Sequence, residues 1–117
     1  MKTPLVTIYI TNYNYAHYIE KAIESVVNQS FKDYEVLIID DGSTDDSREI
    51  IEKYSKNSNF QIIYQKNKGL VVTNNIALRL SQGKYIMRLD ADDYLDVNAL
   101  NIMVSEIESD NDLGLVF

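Results

Sequence analysis

The sequence predicts an α/β protein: a doubly wound, mainly parallel sheet with helices on both faces. Three observations carry that expectation. Short β-rich apolar runs recur along the chain, stretches with apolar residues at helical spacing separate them, and polar or acidic residues follow the runs. Strands alternating with helices of about 10 to 15 residues are the pattern of right-handed βαβ units.

The first run, residues 5–10 (LVTIYI), is followed by the polar turn Thr11, Asn12, Tyr13 and Asn14. Ile19, Ala22, Ile23, Val26 and Val27 then recur at helical spacing. Residues 34–39 form a second strand that ends in Asp40, Asp41, Gly42, Ser43, Thr44 and Asp45. Thr44 or Asp45 is placed to cap the next helix, whose apolar side is Ile50, Ile51 and Tyr54. The third strand, 60–64, leads through residues 65–69 into a helix carrying Ile76, Ala77 and Leu80 that ends near Gly83. The fourth strand is 85–89. Beyond its acids, Leu100, Met103, Val104 and Ile107 mark a helix, and residues 113–117 read as the start of a fifth strand. Parallel strands are covered on both faces, so Val6, Ile8, Val36, Ile38, Ile62, Ile86 and Leu89 are the expected buried set.

At 117 residues the chain is one domain by length, and its 45% hydrophobic and 25% charged composition is that of an ordered globular protein. The net charge is −7 and the basic residues are dispersed, which argues against direct docking on nucleic acid or an anionic lipid surface. An anionic ligand would need a metal ion or a helix terminus. There is no cysteine, so neither a disulfide framework nor a thiolate metal site exists. That usage is compatible with a cytoplasmic protein, which in a longer native chain could lie at the inner face of the membrane. No apolar run reaches the length of a membrane span.

In a parallel sheet, ligands bind beyond the strand C-termini. The polar stretches 11–14, 40–44, 67–69 and 90–93 all belong to that edge. Acids after a strand also serve as caps or solvated turns, but such turns have no reason to gather on one edge. The stretch 83–93, GKYIMRLDADD, is the most informative of them. If strand geometry persists through Ala91, Asp90 and Asp92 point to one side and Asp93 faces elsewhere. Paired hard oxygen donors suit Mg²⁺ or Mn²⁺. The first βα turn has no glycine and no GxxxxGK[ST] occurs, which excludes a dinucleotide fingerprint and a P-loop. A calcium loop starting at Asp90 fails as well, with Leu95 where glycine is required and Asn101 where glutamate belongs.

Two long stretches, VTIYITNYNYAHYIEKAIESVVNQSFKDYEVLIIDDGSTDDS and NKGLVVTNNIALRLSQGKYIMRLDADD, together resemble the inverting glycosyltransferases of family 2, which have the GT-A fold with a Rossmann-like nucleotide-binding half. The resemblance implies transfer of a sugar from a nucleotide-sugar donor, a UDP-sugar by preference, to a saccharide or other hydroxyl acceptor. It implies that Thr11, Tyr13 and Asn14 border the nucleotide, that Asp41 meets the edge of a uracil-type base and that Asp40 supports the same loop. Asn67 and Gly69 would belong to the nucleotide site. Asp90 would face the ribose or a Mn²⁺ or Mg²⁺ ion, and Asp92 would ligate that ion. Where the family commonly carries an arginine in the third helix, this chain has Asn74. The family's catalytic base comes from an acceptor-binding half, so the general base is expected beyond Phe117. Residues 1–117 are then the donor part, truncated before that half and inactive alone.

Two readings compete. A receiver-like Mg²⁺-binding signalling domain should carry its acid pair after the first strand, whereas the pair here follows the second. A nucleotide-binding fragment without turnover differs from the enzyme only in lacking transfer. His17, the single histidine, starts the first helix and is expected at the surface.

Overall fold

The structure, a computed structural model, describes residues 3–109. Strands and helices alternate as β1 (Val6–Asn12), α1 (Ala16–Val27), β2 (Tyr34–Asp41), α2 (Ser47–Glu52), β3 (Phe60–Gln65), α3 (Leu70–Leu80), β4 (Tyr85–Asp90) and α4 (Ala99–Ser109). All three strand pairings are parallel and the order is β3-β2-β1-β4. The expected architecture is therefore present. The expected fifth strand at residues 113–117, which ends at Phe117, lies outside the described residues.

Strand alternation divides the core in two. Ile8, Ile10, Val36 and Ile38 pack with Ile19, Ala22, Ile23 and Val26 of α1, Ile51 of α2 and Leu100 of α4. On the opposite face Tyr9, Leu37 and Ile39 pack with Ala77 of α3. Helices thus cover both faces. Val6, Ile8, Val36, Ile38 and Leu89 are buried as expected, but Ile62 and Ile86 are only half-buried. Those two sit on β3 and β4, the outer strands of the described sheet, where one flank has no neighbouring strand to shield it.

The strands run further toward the polar residues than the apolar pattern suggests. Asn12 pairs with Asp40, Asp41 with Gln65, and Thr11 with Asp90, so the polar residues end the strands instead of starting loops. Backbone pairing continues past the point where side chains stop being apolar, because the ladder needs only N–H and C=O groups. Conversely α2 stops at Glu52, and Tyr54, expected on its apolar side, lies in the turn beyond and stacks on Phe60 with ring centroids 6.0 Å apart.

Of the two candidate caps, Asp45 takes the role, and it serves two helices. Its carboxylate accepts from the Ser47 N–H at the start of α2 and from the Ala16 N–H at the start of α1, both at 3.0 Å. Burial would raise its pKa, but hydrogen bonding from Ser47 and Ala16 outweighs that and holds the carboxyl below the ordinary 3.8. His17 is exposed in the first turn of α1, as expected.

Two stability measurements test this account. Ile38→Ala, at a side chain with 0% exposure, should cost about 2–5 kcal/mol in urea unfolding, whereas Val71→Ala, at 75% exposure, should stay within about 0.5 kcal/mol. Comparable losses would contradict the two-layer core. Asp45→Ala should cost about 1 kcal/mol near neutral pH, the usual worth of a cap. Because the folded pKa is depressed, that stabilisation is complete above the ordinary 3.8 and is lost as pH falls through the folded value. The gap between variant and wild type should therefore close in acid, and a gap that persists there would exclude the carboxylate as its source.

Candidate functional site

Period-two alternation sorts the acids at the sheet edge. Asp40 and Asp41 are adjacent on β2, so their side chains leave opposite faces. Asp41 shares the α3 side with Thr11 and Asp90, which are partners across β1 and β4. These residues line a cleft of about 320 Å³ together with Asn12, Tyr13, Tyr15, Leu70, Thr73, Arg88, Ala91 and Asp92. Asp40 borders a separate recess with Gly42, Ser43, Arg48, Tyr64 and Asn67.

The buried Asp41 is a clasp between two loops. One carboxylate oxygen accepts from the Lys68 N–H at 2.8 Å and from Gln65 Nε2 at 2.9 Å. The other accepts only from the Gly69 N–H at 3.1 Å, which leaves acceptor capacity on that oxygen. Gln65 Nε2 also donates to Thr73 Oγ1 at 3.0 Å, tying the strand end to the first turn of α3. The loops approach so closely at Gly42 that a Cβ there would stand 2.6 Å from the Asn67 backbone nitrogen, and its φ of +79° disfavours any other residue.

Asp40 holds the neighbouring loop from the other face. It accepts from Asn12 Nδ2 at 2.8 Å, Ser43 Oγ at 2.7 Å and the Ser43 N–H at 3.2 Å. Asn14, at a φ of 59°, extends this latch: its Oδ1 accepts from the Thr44 N–H at 2.7 Å while its own N–H donates to Ser43 Oγ at 2.9 Å. Asparagine tolerates that left-handed conformation better than most residues. The latch fixes the polypeptide on either side of Tyr13, which is 47% exposed at the cleft.

Strand geometry ends at Asp90 and does not persist through Ala91. The Asp93 N–H donates to the Asp90 carbonyl at 2.9 Å, closing a tight turn that swings Asp93 back. As a result one carboxylate oxygen each from Asp90, Asp92 and Asp93 lies within 4.8 Å of the others. The expectation that Asp93 faces elsewhere is corrected, because a turn replaces the alternation on which it rested. Three hard oxygen donors at this spacing, with Asp92 and Asp93 exposed, fit Mg²⁺ or Mn²⁺, both of which bind through a few carboxylates and keep water ligands. Arg88 Nη2 stands 3.1 Å from Asp90 Oδ1. Burial raises the pKa of Tyr9, Arg88's partner across β1 and β4, and the guanidinium opposes the shift.

Among the expected site residues, Thr11, Tyr13, Asp41, Asp90 and Asp92 line the cleft. Asn14, Asp40, Asn67 and Gly69 are not among its lining residues, Asp40 and Asn67 bordering the separate recess; their hydrogen bonds hold the loops beside the cleft. The general base expected beyond Phe117 falls outside the described residues, which end at Ser109. Sequence reasoning missed Asn12, Thr73 and Arg88. Arg88 carried a readable signal: a charge within an otherwise apolar strand, two residues before Asp90 and hence on the same face.

Residues 7–117 match the family described as Glycosyl transferase family 2. Chondroitin synthase of Escherichia coli is 44% identical over 99% of this chain, and hyaluronan synthase of Pasteurella multocida is 40% identical over 99%. The chain spans 17% and 12% of the lengths of those two relatives. Among solved structures, that of S. aureus TarS 1–349 in complex with UDP superposes with a TM-score of 0.83 at 26% identity, covering 97% of this chain and 38% of that one.

Proposed function

The chain belongs to glycosyltransferase family 2, and on that premise we propose that its cleft binds the nucleotide part of a UDP-sugar donor, with Mn²⁺ or Mg²⁺, for inverting transfer to a saccharide or other hydroxyl acceptor. One observation carries the reading: Thr11, Asp41, Asp90 and Asp92 meet in a single cleft at the C-terminal edge of a parallel sheet. The UDP complex of TarS and the polysaccharide synthases among the relatives support this choice of donor and acceptor class.

In this assignment the Asp41 oxygen that accepts only from Gly69 receives an imide N–H of the base. Thr11 and Tyr13 border the nucleoside, with Tyr13 offering a ring face. Asn14, Asp40, Asn67 and Gly69 act indirectly, by keeping the loops in place. Asp90 and Asp92, with Asp93 beside them, would hold the divalent cation, which when bound offsets charge on the diphosphate leaving group. In the transfer itself the acceptor oxygen bonds to the anomeric carbon as that carbon's bond to the phosphate oxygen breaks. The proton of the acceptor hydroxyl passes to a general base within about 3 Å. The acids at this edge have other engagements: Asp40 and Asp41 accept loop hydrogen bonds, Asp90 pairs with Arg88, and Asp92 and Asp93 would hold the cation. We therefore place the base beyond Phe117 and assign residues 1–117 donor binding without turnover.

Calorimetry should find UDP bound more tightly with Mn²⁺ than in EDTA, and Asp92→Asn should remove most of that difference. Affinity indifferent to both changes would exclude a metal bridge. Asp41→Ala should weaken uridine and UDP by similar factors, roughly tenfold or more for a lost charge-assisted hydrogen bond. An effect confined to diphosphates would place Asp41 elsewhere. A radiolabelled-sugar assay should detect no transfer by residues 1–117 and transfer by a longer native chain. Turnover by the short chain would locate the base within it.

A further inference from the structure

Arg88 occupies a position where the sheet would ordinarily take an apolar side chain. It lies inside β4 opposite Tyr9, on the face that α3 covers further down the sheet. Its side chain is 39% exposed and lines the cleft, where it is the only basic residue among the described lining residues. The single carboxylate contact to Asp90 cannot use a guanidinium's five N–H donors. Among the described residues the guanidinium has no other ion-pair or hydrogen-bond partner, which leaves its remaining donors for the cleft, beside the three-carboxylate turn.

We infer that Arg88 is a donor-binding residue that contacts the phosphate oxygens directly and makes part of nucleotide binding independent of the divalent cation. The inference rests on the donor assignment above and deepens it. A planar fork that never loses its charge suits phosphate, and its distance from Asp90 sets it at the cation-binding turn. The same charge has an opposite effect on the metal. It neutralises part of the attraction that Asp90, Asp92 and Asp93 exert on a cation, so Arg88 strengthens nucleotide binding while weakening binding of the ion alone. A residue with only a structural role would affect both in the same direction.

The test uses wild type, Arg88→Gln and Arg88→Lys in three titrations: UDP with Mn²⁺, UDP in EDTA, and Mn²⁺ alone followed by the electron paramagnetic resonance signal of the free ion. Wild type should bind UDP measurably in EDTA, and Arg88→Gln should weaken that binding roughly tenfold or more, the loss of a charge-assisted hydrogen bond. Arg88→Gln should also bind Mn²⁺ alone more tightly, by a few-fold, as expected on removing a nearby like charge at a partly exposed site. Arg88→Lys, which keeps the charge without the fork, should fall between the other two in EDTA and match wild type for Mn²⁺ alone. The inference is overturned if UDP binds wild type only with metal, if Arg88→Gln leaves the EDTA affinity unchanged, or if it weakens Mn²⁺ as well. Failure of UDP to bind wild type even with Mn²⁺ would overturn the donor assignment and this inference with it, whereas binding with Mn²⁺ that ignores Arg88 would overturn this inference alone.

Discussion

The parallel pairing of β1 with both β2 and β4 is the constraint on which the cleft depends. It brings the ends of separate βα units to one edge and sets Thr11 beside Asp90 while Asn12 stands beside Asp40. A slip of one residue in either pairing would send each side chain of the slipped strand to the other face. The apolar alternation of Ile8, Ile10, Val36 and Ile38 against Tyr9, Leu37 and Ile39 opposes such a slip, since it would set the strand's side chains against the wrong helices. The same packing that buries the core therefore fixes the register of the polar residues at the edge.

Adjacent acids on β2 divide their work for the same reason. Asp40 turns to one face and braces the loop before α2, whereas Asp41 turns to the other and clasps the loop before α3. Both carboxylates accept backbone N–H groups that would otherwise lack partners at a crowded edge. Asp45 extends the scheme by capping two helices at once, which couples the entries of α1 and α2. Much of the acidic character of this edge is thus structural, and only part of it faces the cleft.

Charge poses the remaining problem. On the proposed function, a protein of net charge −7 would hold an anionic ligand beside three carboxylates. Apart from Arg88 and the carboxylates of Asp41, Asp90 and Asp92, the described cleft lining offers hydroxyl, amide and apolar groups. The resemblance implied an arginine where α3 carries Asn74, and among the described lining residues the one basic group is Arg88 of β4. The guanidinium stands next to an acid of the β4 turn, which makes the two charges interdependent.

The sequence by itself determined the class of fold and the edge at which to look. Runs of β-branched residues alternating with helical periodicity specify βαβ units, and chirality and sheet twist leave little choice in how such units wind. It also determined the family, since ordered motifs at characteristic spacing survive without any knowledge of geometry. Only the tertiary structure decided which acid does what. The turn closed between Asp90 and Asp93 depends on where pairing to β1 stops, which no local pattern records. Whether Asn14, Asp40, Asn67 and Gly69 line the cleft or brace its loops depends on hydrogen bonds between residues 26 to 31 positions apart. Side-chain type and spacing describe what a residue can do, but the partners that occupy it are chosen by packing at long range.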